Sequence, residues 1–366
     1  MREVVMSGEK KPICIVMDTN IWYQDSNLLL NTPKGSELLY ILRKSGGKIG
    51  LPEIIEEEVI RKMLVRGTKA AEEINRNFKT VEKIIGFRWL YKVPNEVELE
   101  DAIRKRLIEL NDLFHKIECT SEHKKSAQKR VDEKSPPNSR KPQFNDSAIW
   151  EAILDLLDSY TVHFICGDKQ FYKGEDVTTK ALAKNLLEDC RKRCGNVHIY
   201  NDMESCFPIL WKDVPKIDYS NLILKIDGVI NPRLRIELLT ETGFEVVNLI
   251  GEDSSVSAFF IEIKDNLLLN FELCYQCIDI RNNDNEKRKN ARLNIKGACL
   301  YEFNSQVISD SDSDIKKEFE RISWIEPSGE PNRIGAVYPN CIISIGGSQK
   351  VPFSFKEPVD SIRFFQ

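Results

Sequence analysis

Residues 13–20 read Ile13-Cys14-Ile15-Val16-Met17-Asp18-Thr19-Asn20. Five apolar side chains in succession leave no polar face, so the run predicts a strand buried on both sides, as strands of parallel sheets are. It stops at an acid, a hydroxyl and an amide. A second run, Val162-His163-Phe164-Ile165-Cys166, stops in the same manner at Gly167-Asp168-Lys169. Helical patterns lie between them. Ser36–Lys44 ends at Gly46-Gly47, and Pro52 starts a helix carrying Ile54, Ile55, Val59, Ile60 and Met63. Further helices are predicted over Ala70–Ile85, Glu96–Glu118 and Ser147–Asp158, and one over Lys180–Cys194 closed by Gly195. Lys48–Leu51 and Val197–Tyr200 read as short strands. Strands alternating with helices predict an α/β fold around a parallel sheet.

That pattern ends near Asp213–Lys216, where Pro208 and Pro215 bracket Trp211. A chain of 366 residues is long for one domain, at roughly 150 residues each. Two domains are therefore expected, 1–214 and 215–366. In the second, Leu222–Ile226, Arg233–Thr240, Phe244–Ile250, Ser257–Ile263, Leu267–Ile280 and Ala291–Phe303 read as strands. Asp265-Asn266 and Asn282–Asn285 have the composition of hairpin connections. The expectation is a mainly-β, sandwich-like domain. Asp310–Asp314 reads as an exposed acidic turn, without the Gly and distal Glu of an EF-hand loop.

The 53 Lys+Arg and 57 Asp+Glu give a net charge of −4, which excludes a generally basic nucleic-acid coat. The halves differ: 35 cations against 34 acids before residue 215, and 18 against 23 after it. The −5 of the second half suits a protein or small-molecule partner better than nucleic acid. No apolar run approaches the ~20 residues of a membrane helix, and Met1–Lys11 has no apolar core of a signal peptide. With a mean hydropathy of −0.36 and ten scattered cysteines, the expected setting is the cytoplasm, with thiols reduced and no membrane partner. Cys274 and Cys277, three apart in a strand, would point to opposite faces and do not make a zinc site. Cys190, Cys194 and His198 have helix-like spacing, but Gly195 breaks the helix between them; packing explains them better.

Four acids fall where an open α/β sheet binds its ligands, beyond the carboxyl ends of the strands. Asp18 and Asp168 each follow a strand, Asp146 heads the helix before the second strand, and Glu58 lies on the helix after Pro52. Carboxylates gathered in a cleft repel one another unless cations relieve them. Hard divalent ions with oxygen ligands, Mg²⁺ or Mn²⁺, are the implied cofactor.

In this order, Asp18-Thr19-Asn20, Pro52 with Glu58-Val59, Asn145-Asp146-Ser147-Ala148-Ile149 and Gly167-Asp168-Lys169-Gln170-Phe171 resemble the motifs of PIN-domain nucleases. The resemblance covers roughly residues 11–205. It implies a three-layer α/β/α fold and a centre of Asp18, Glu58, Asp146 and Asp168 that holds Mg²⁺ or Mn²⁺ and hydrolyses phosphodiesters, in RNA more than DNA. Thr19, Asn20 and Lys169 would orient that centre or touch substrate. Two features depart from small PIN domains. Glu58 and Asp146 stand 88 positions apart, as in the large bacterial variety, and Gly167 replaces the usual Thr or Asn. Glu57 is the alternative to Glu58 within Glu56-Glu57-Glu58.

Each acid alone also reads as a helix cap or turn former. His123–Lys141 carries seven Lys or Arg against Asp132 and Glu133; it is either a solvated loop or a grip on a phosphate backbone. The resemblance implies a nuclease, and with it the expectation of a toxin or anti-phage effector. The alternative is a PIN-like binding or regulatory protein that does not cut and whose β domain meets a protein partner.

Overall fold

The computed structural model describes residues 11–87, 92–138, 141–242, 244–261, 266–280, 290–309, 322–325 and 331–336. The chain divides into two compact units, Met1–Val214 and Pro215–Gln366. In the first, β1 (Ile13–Met17), β2 (Lys48–Pro52), β3 (Phe114–Ile117), β4 (Thr161–Ile165) and β5 (Val197–Tyr200) form a sheet in the order β3-β2-β1-β4-β5. Every pairing is parallel. All five residues of β1 are buried, as its unbroken apolar run requires.

Among the described residues, eight α-helices accompany the sheet: α1 (Thr19–Tyr23), α2 (Pro33–Ser45), α3 (Glu53–Ile85), α4 (Glu96–Glu109), α5 (Ser121–Asp132), α6 (Phe144–Leu156), α7 (Lys184–Lys192) and α8 (Met203–Leu210). α3 and α6 pack on β2, α6 also on β4, and α8 on β4 and β5. This is the three-layer α/β/α arrangement. Helix ends follow local chemistry. Thr32 accepts a hydrogen bond from the Gly35 amide (3.0 Å) at the start of α2, and Gly46 ends it at φ +69°. Asn95 and Glu98 form a capping box on α4.

Four local expectations need correction. α3 is one helix of 33 residues rather than two. Gly67, in its interior, is where Leu99 of α4 approaches, 3.3 Å from where a Cβ would stand. The helix predicted over Glu96–Glu118 stops at Glu109, and Phe114–Ile117 becomes edge strand β3, registered on β2 with His115 opposite Gly50. That pairing is long-range and leaves no local periodicity. The cationic run 123–141 is largely helical: α5 packs on α6, and Thr120 caps it through the His123 amide at 3.1 Å. The helix predicted from Lys180 begins only at Lys184, because Lys180 adopts a left-handed conformation at φ +48°.

In the second unit, α9 (Tyr219–Thr242) precedes β6 (Phe244–Leu249), β7 (Ser255–Phe260), β8 (Asn266–Asp279), β9 (Asn290–Glu302), β10 (Val307–Ser309), β11 (Ile322–Ile325) and β12 (Pro331–Ala336). The strands make one antiparallel sheet, with β8 and β9 paired from Asn266 to Ile278. The strands predicted at Leu222–Ile226 and Arg233–Thr240 are instead parts of α9. Leu222, Ile226, Ile230, Leu234 and Leu238 are buried at a spacing of four, and Gly228 and Pro232 had disguised that stripe. α9 lies across β6, β7, β8 and β10, and the Tyr275 hydroxyl donates to Asp227 at 2.8 Å. Cys274 and Cys277 are both buried in β8. Asp265, Asn282–Asn285 and Asp310–Asp314 lie outside the described residues. No described helix is long and apolar enough to cross a membrane.

Candidate active site

The parallel sheet brings the carboxyl ends of its two central strands side by side. Met17 pairs with Ile165, and the Asp18 amide extends the ladder by donating to the Ile165 carbonyl at 2.9 Å. Asp18 and Asp168 therefore emerge from neighbouring strand ends. Asp18 is 8% exposed and makes no side-chain cap on α1. Its Oδ2 accepts from Asn20 Nδ2 at 3.1 Å. Burial raises its pKa; the Thr19 amide, Lys62 and the Asn20 amide pull it back, and the charge of Glu58 adds to the rise.

Glu58 reaches the same place from α3. Its Oε2 accepts from the buried Thr19 hydroxyl at 2.8 Å, which ties the helix to the end of β1. The neighbouring glutamates are placed differently: Glu56 accepts from Lys116 at 2.8 Å, and the charge of Glu57 is felt at Cys119. Asp146 stands in the first turn of α6. Burial lifts its pKa to about 7, helped by the charges of Asp18, Asp168 and Glu58. A helix N-terminus ordinarily favours the ionised form; here desolvation and three like charges prevail. Asp168 divides its oxygens. Oδ1 accepts from the Gln170 amide at 2.9 Å and so caps a turn, while Oδ2 accepts from Gln143 Nε2 at 3.1 Å. At Gly167 a Cβ would meet only the Asn201 carbonyl, at 3.9 Å, so space does not dictate glycine there.

Two participants were missed in the sequence. Lys62, one turn beyond Glu58 on α3, places Nζ 3.8 Å from Glu58 Oε1 and 3.3 Å from Asn20 Oδ1. Its charge lowers the pKa of both Asp18 and Asp146. The i,i+4 spacing from Glu58 was the available signal. Gln143 precedes α6, and its Oε1 is buried with no hydrogen-bond partner among the described residues while its Nε2 holds Asp168. Lys169 is exposed and lines a cleft of about 350 Å³ with Lys141, Gly167, Asp168 and Gln170. The cationic run is not uniformly available. Arg130 is bound to Glu151 at 2.5 Å and Asp189 at 2.7 Å, all three largely buried, whereas Lys141 reaches the cleft. Arg140 is outside the described residues.

Four carboxylates of which Asp18 and Asp146 are raised by burial and by their acidic neighbours, with an orphan carbonyl beside Asp168, are the donor chemistry that suits a hard divalent ion. Among the described residues, no three His, Cys, Asp or Glu side chains are drawn together as around an ion. The acids are thus coupled electrostatically but stand open, with Lys62 offsetting part of their charge.

Against known proteins, residues 15–171 match the family model described as PIN domain. No curated protein and no solved structure matches the chain. PIN domains are generally nucleases, typically use divalent metal ions and act on nucleic acid. The match runs from Ile15 in β1 past the end of β4 and includes all four acids, so residues 15–171 carry a PIN domain within the N-terminal parallel-sheet unit, which a C-terminal antiparallel β region follows.

Proposed function

We propose that the chain is a cytoplasmic, metal-dependent endonuclease that hydrolyses phosphodiester bonds, in RNA rather than DNA, with Mg²⁺ or Mn²⁺ held by Asp18, Glu58, Asp146 and Asp168. The observation that carries this reading is the lift of Asp146 to about 7, by burial first and then by the charges of Asp18, Asp168 and Glu58 around it. That electrostatic pressure is what a divalent ion relieves. When bound, such an ion polarises a phosphoryl oxygen and makes a nearby water acidic enough to attack at neutral pH. The chain's own groups hold the acids for it: Thr19 fixes Glu58, Asn20 fixes Asp18 and Gln143 fixes Asp168. Asn20 is exposed beside Asp18 and open to substrate, Thr19 is buried and acts through Glu58, and Lys169 with Lys141 offers cations for the phosphates of a strand lying in the cleft. No histidine or serine nucleophile is needed.

The test incubates the protein with single-stranded RNA and DNA of one sequence, with Mg²⁺ or Mn²⁺. Wild type should cut RNA faster, and Asp18→Asn and Asp146→Asn should both abolish cutting. Equal activity, or equal inertness, of wild type and variants on both substrates would overturn the reading. Use as a toxin or anti-phage effector follows if expression of wild type, but not Asp146→Asn, stops bacterial growth. The acidic C-terminal unit is read as the surface for a protein partner or regulator, tested by pulling down partners with and without residues 215–366.

A second reading is favoured by the open stance of the acids and the presence of Lys62 among them. In it, the same fold holds nucleic acid without cutting. Micromolar RNA binding with no cleavage at any divalent ion concentration would select it.

A further inference from the structure

α1 packs on α3, and the two meet along side chains spaced four apart on α3: Glu58, Lys62 and Arg66. Glu58 accepts from the Thr19 hydroxyl at 2.8 Å. Arg66 donates to the Tyr23 carbonyl at 2.5 Å, with its guanidinium 5.0 Å from the centre of the Tyr23 ring. Lys62 stands between these two ties, so its place against α1 is fixed from both sides. Its Nζ donates to Asn20 Oδ1 at 3.3 Å and lies 3.8 Å from Glu58 Oε1. The same Asn20 amide turns its Nδ2 to Asp18 Oδ2 at 3.1 Å. An amide with its oxygen on a cation and its nitrogen on an anion has the one orientation that both charges favour. The half of the acid centre made by Asp18 and Glu58 therefore already holds a cation, seated among oxygen atoms and only 34% exposed.

The half made by Asp146 and Asp168 is furnished differently. Gln143 Nε2 donates to Asp168 at 3.1 Å, and Gln143 Oε1 is buried with no hydrogen-bond partner among the described residues. Lys141 and Lys169 share the cleft with Asp168 but are exposed. The charge of Lys62 reaches Asp146 as the smallest of the influences on it, behind burial and the three other acids. Clustered acids that hydrolyse phosphodiesters hold either one divalent ion or a pair about 3.5–4 Å apart. An ammonium already lying against Glu58 and Asn20 repels a second ion brought to the same oxygens. We propose that Lys62 fills the position a second divalent ion would take, so that the four acids hold a single Mg²⁺ or Mn²⁺, displaced toward Asp146 and Asp168. Lys62 is in this sense a positioning residue, acting through the charge it places there. The proposal rests on the metal-dependent reading of the acids and adds to it the number of ions and the residue that sets that number.

The experiment takes the full-length wild type, Lys62→Arg, Lys62→Met and Lys62→Gln, strips each with chelator, and titrates it with Mn²⁺ by calorimetry. The loaded proteins are then read by electron paramagnetic resonance. Wild type and Lys62→Arg, which keeps the charge, should bind one ion per chain and show the spectrum of isolated Mn²⁺. Lys62→Met and Lys62→Gln should bind two, and at saturation the isolated-ion spectrum should give way to that of a magnetically coupled pair. Two ions at unrelated sites produce no such coupling, and a lysine with a merely structural role leaves the number of ions at one in all four proteins. That last result overturns the proposal, as does a coupled pair in wild type, which needs no variant to fold. Neither measurement uses a nucleic-acid substrate. A coupled pair in wild type that cuts RNA defeats this inference alone. One ion in wild type and a coupled pair in Lys62→Met, without cutting, defeats the nuclease reading and leaves the role of Lys62 standing. No Mn²⁺ bound by any of the four overturns both.

Discussion

Asp146 makes the protein's stability depend on pH in a direction opposite to that of a salt-bridged aspartate. Its folded pKa is about 7 against an ordinary 3.8, so between these values the folded state binds more protons than the unfolded one. Stability from this group therefore falls as pH rises from about 4 to 7 and stays low above it. The lift corresponds to at most about 4 kcal/mol. In chelator, denaturant midpoints of Asp146→Asn should exceed those of wild type at pH 8, and the difference should shrink toward zero at pH 4. A difference that does not vary with pH would show that Asp146 titrates normally. Lys62 supports a second expectation at this scale. It stands where a divalent cation would be drawn and repels it, so Lys62→Met should bind Mn²⁺ several-fold more tightly while Asp18 and Asp146 lose the cation that lowers their pKa. Calorimetric titration checks the affinity. Weaker binding in the variant would mean that the lysine assembles the acids instead of competing for them.

Among the elements, α5 depends on one buried cation. Arg130 joins it to Glu151 of α6 and Asp189 of α7, so removing the guanidinium strands Glu151, only 13% exposed, and leaves Asp189, 15% exposed, with Lys192 at 3.2 Å in place of its buried partner. Arg130→Ala should cost about 3–5 kcal/mol of stability, whereas Lys129→Ala, one residue away and three-quarters exposed, should stay within about 0.5 kcal/mol. Thermal or denaturant melts of the two variants test the contrast. Nothing in the run 123–141 distinguishes Arg130 from its neighbours, because its partners lie 21 and 59 residues away. The same limit explains what else was legible. β1 and β4 could be read from their own apolar residues, since burial on both faces leaves its mark locally. The strand-end positions of Asp18 and Asp168 followed directly. β3 could not be read, since Phe-His-Lys-Ile becomes a strand only through β2. α9 was misread because Gly228 and Pro232 interrupt a stripe that tertiary packing nevertheless keeps helical. Glu58 could be narrowed only to two candidates, and the geometry that separates it from Glu57 is the hydroxyl of Thr19, 39 residues earlier.

For the whole molecule, the four acids and the orphan Gln143 carbonyl all belong to the unit Met1–Val214. An ion that binds only folded protein stabilises it by about 2.7 kcal/mol at a hundredfold excess over its dissociation constant. Scanning calorimetry should then show two transitions, of which saturating Mn²⁺ raises one. A uniform shift of both would tie the two units into a single cooperative block. The strand order carries one last consequence. β1 is completed at Met17, yet its neighbour β4 starts only at Thr161, so the first aspartate leaves the ribosome about 140 residues ahead of the strand that seats it. At roughly 5–20 residues per second, translation leaves Asp18 without Asp146 and Asp168 for about 6–30 s. A nascent chain therefore carries no assembled acid centre while it is still attached to the ribosome, and the order of synthesis itself keeps that centre incomplete until the sheet closes.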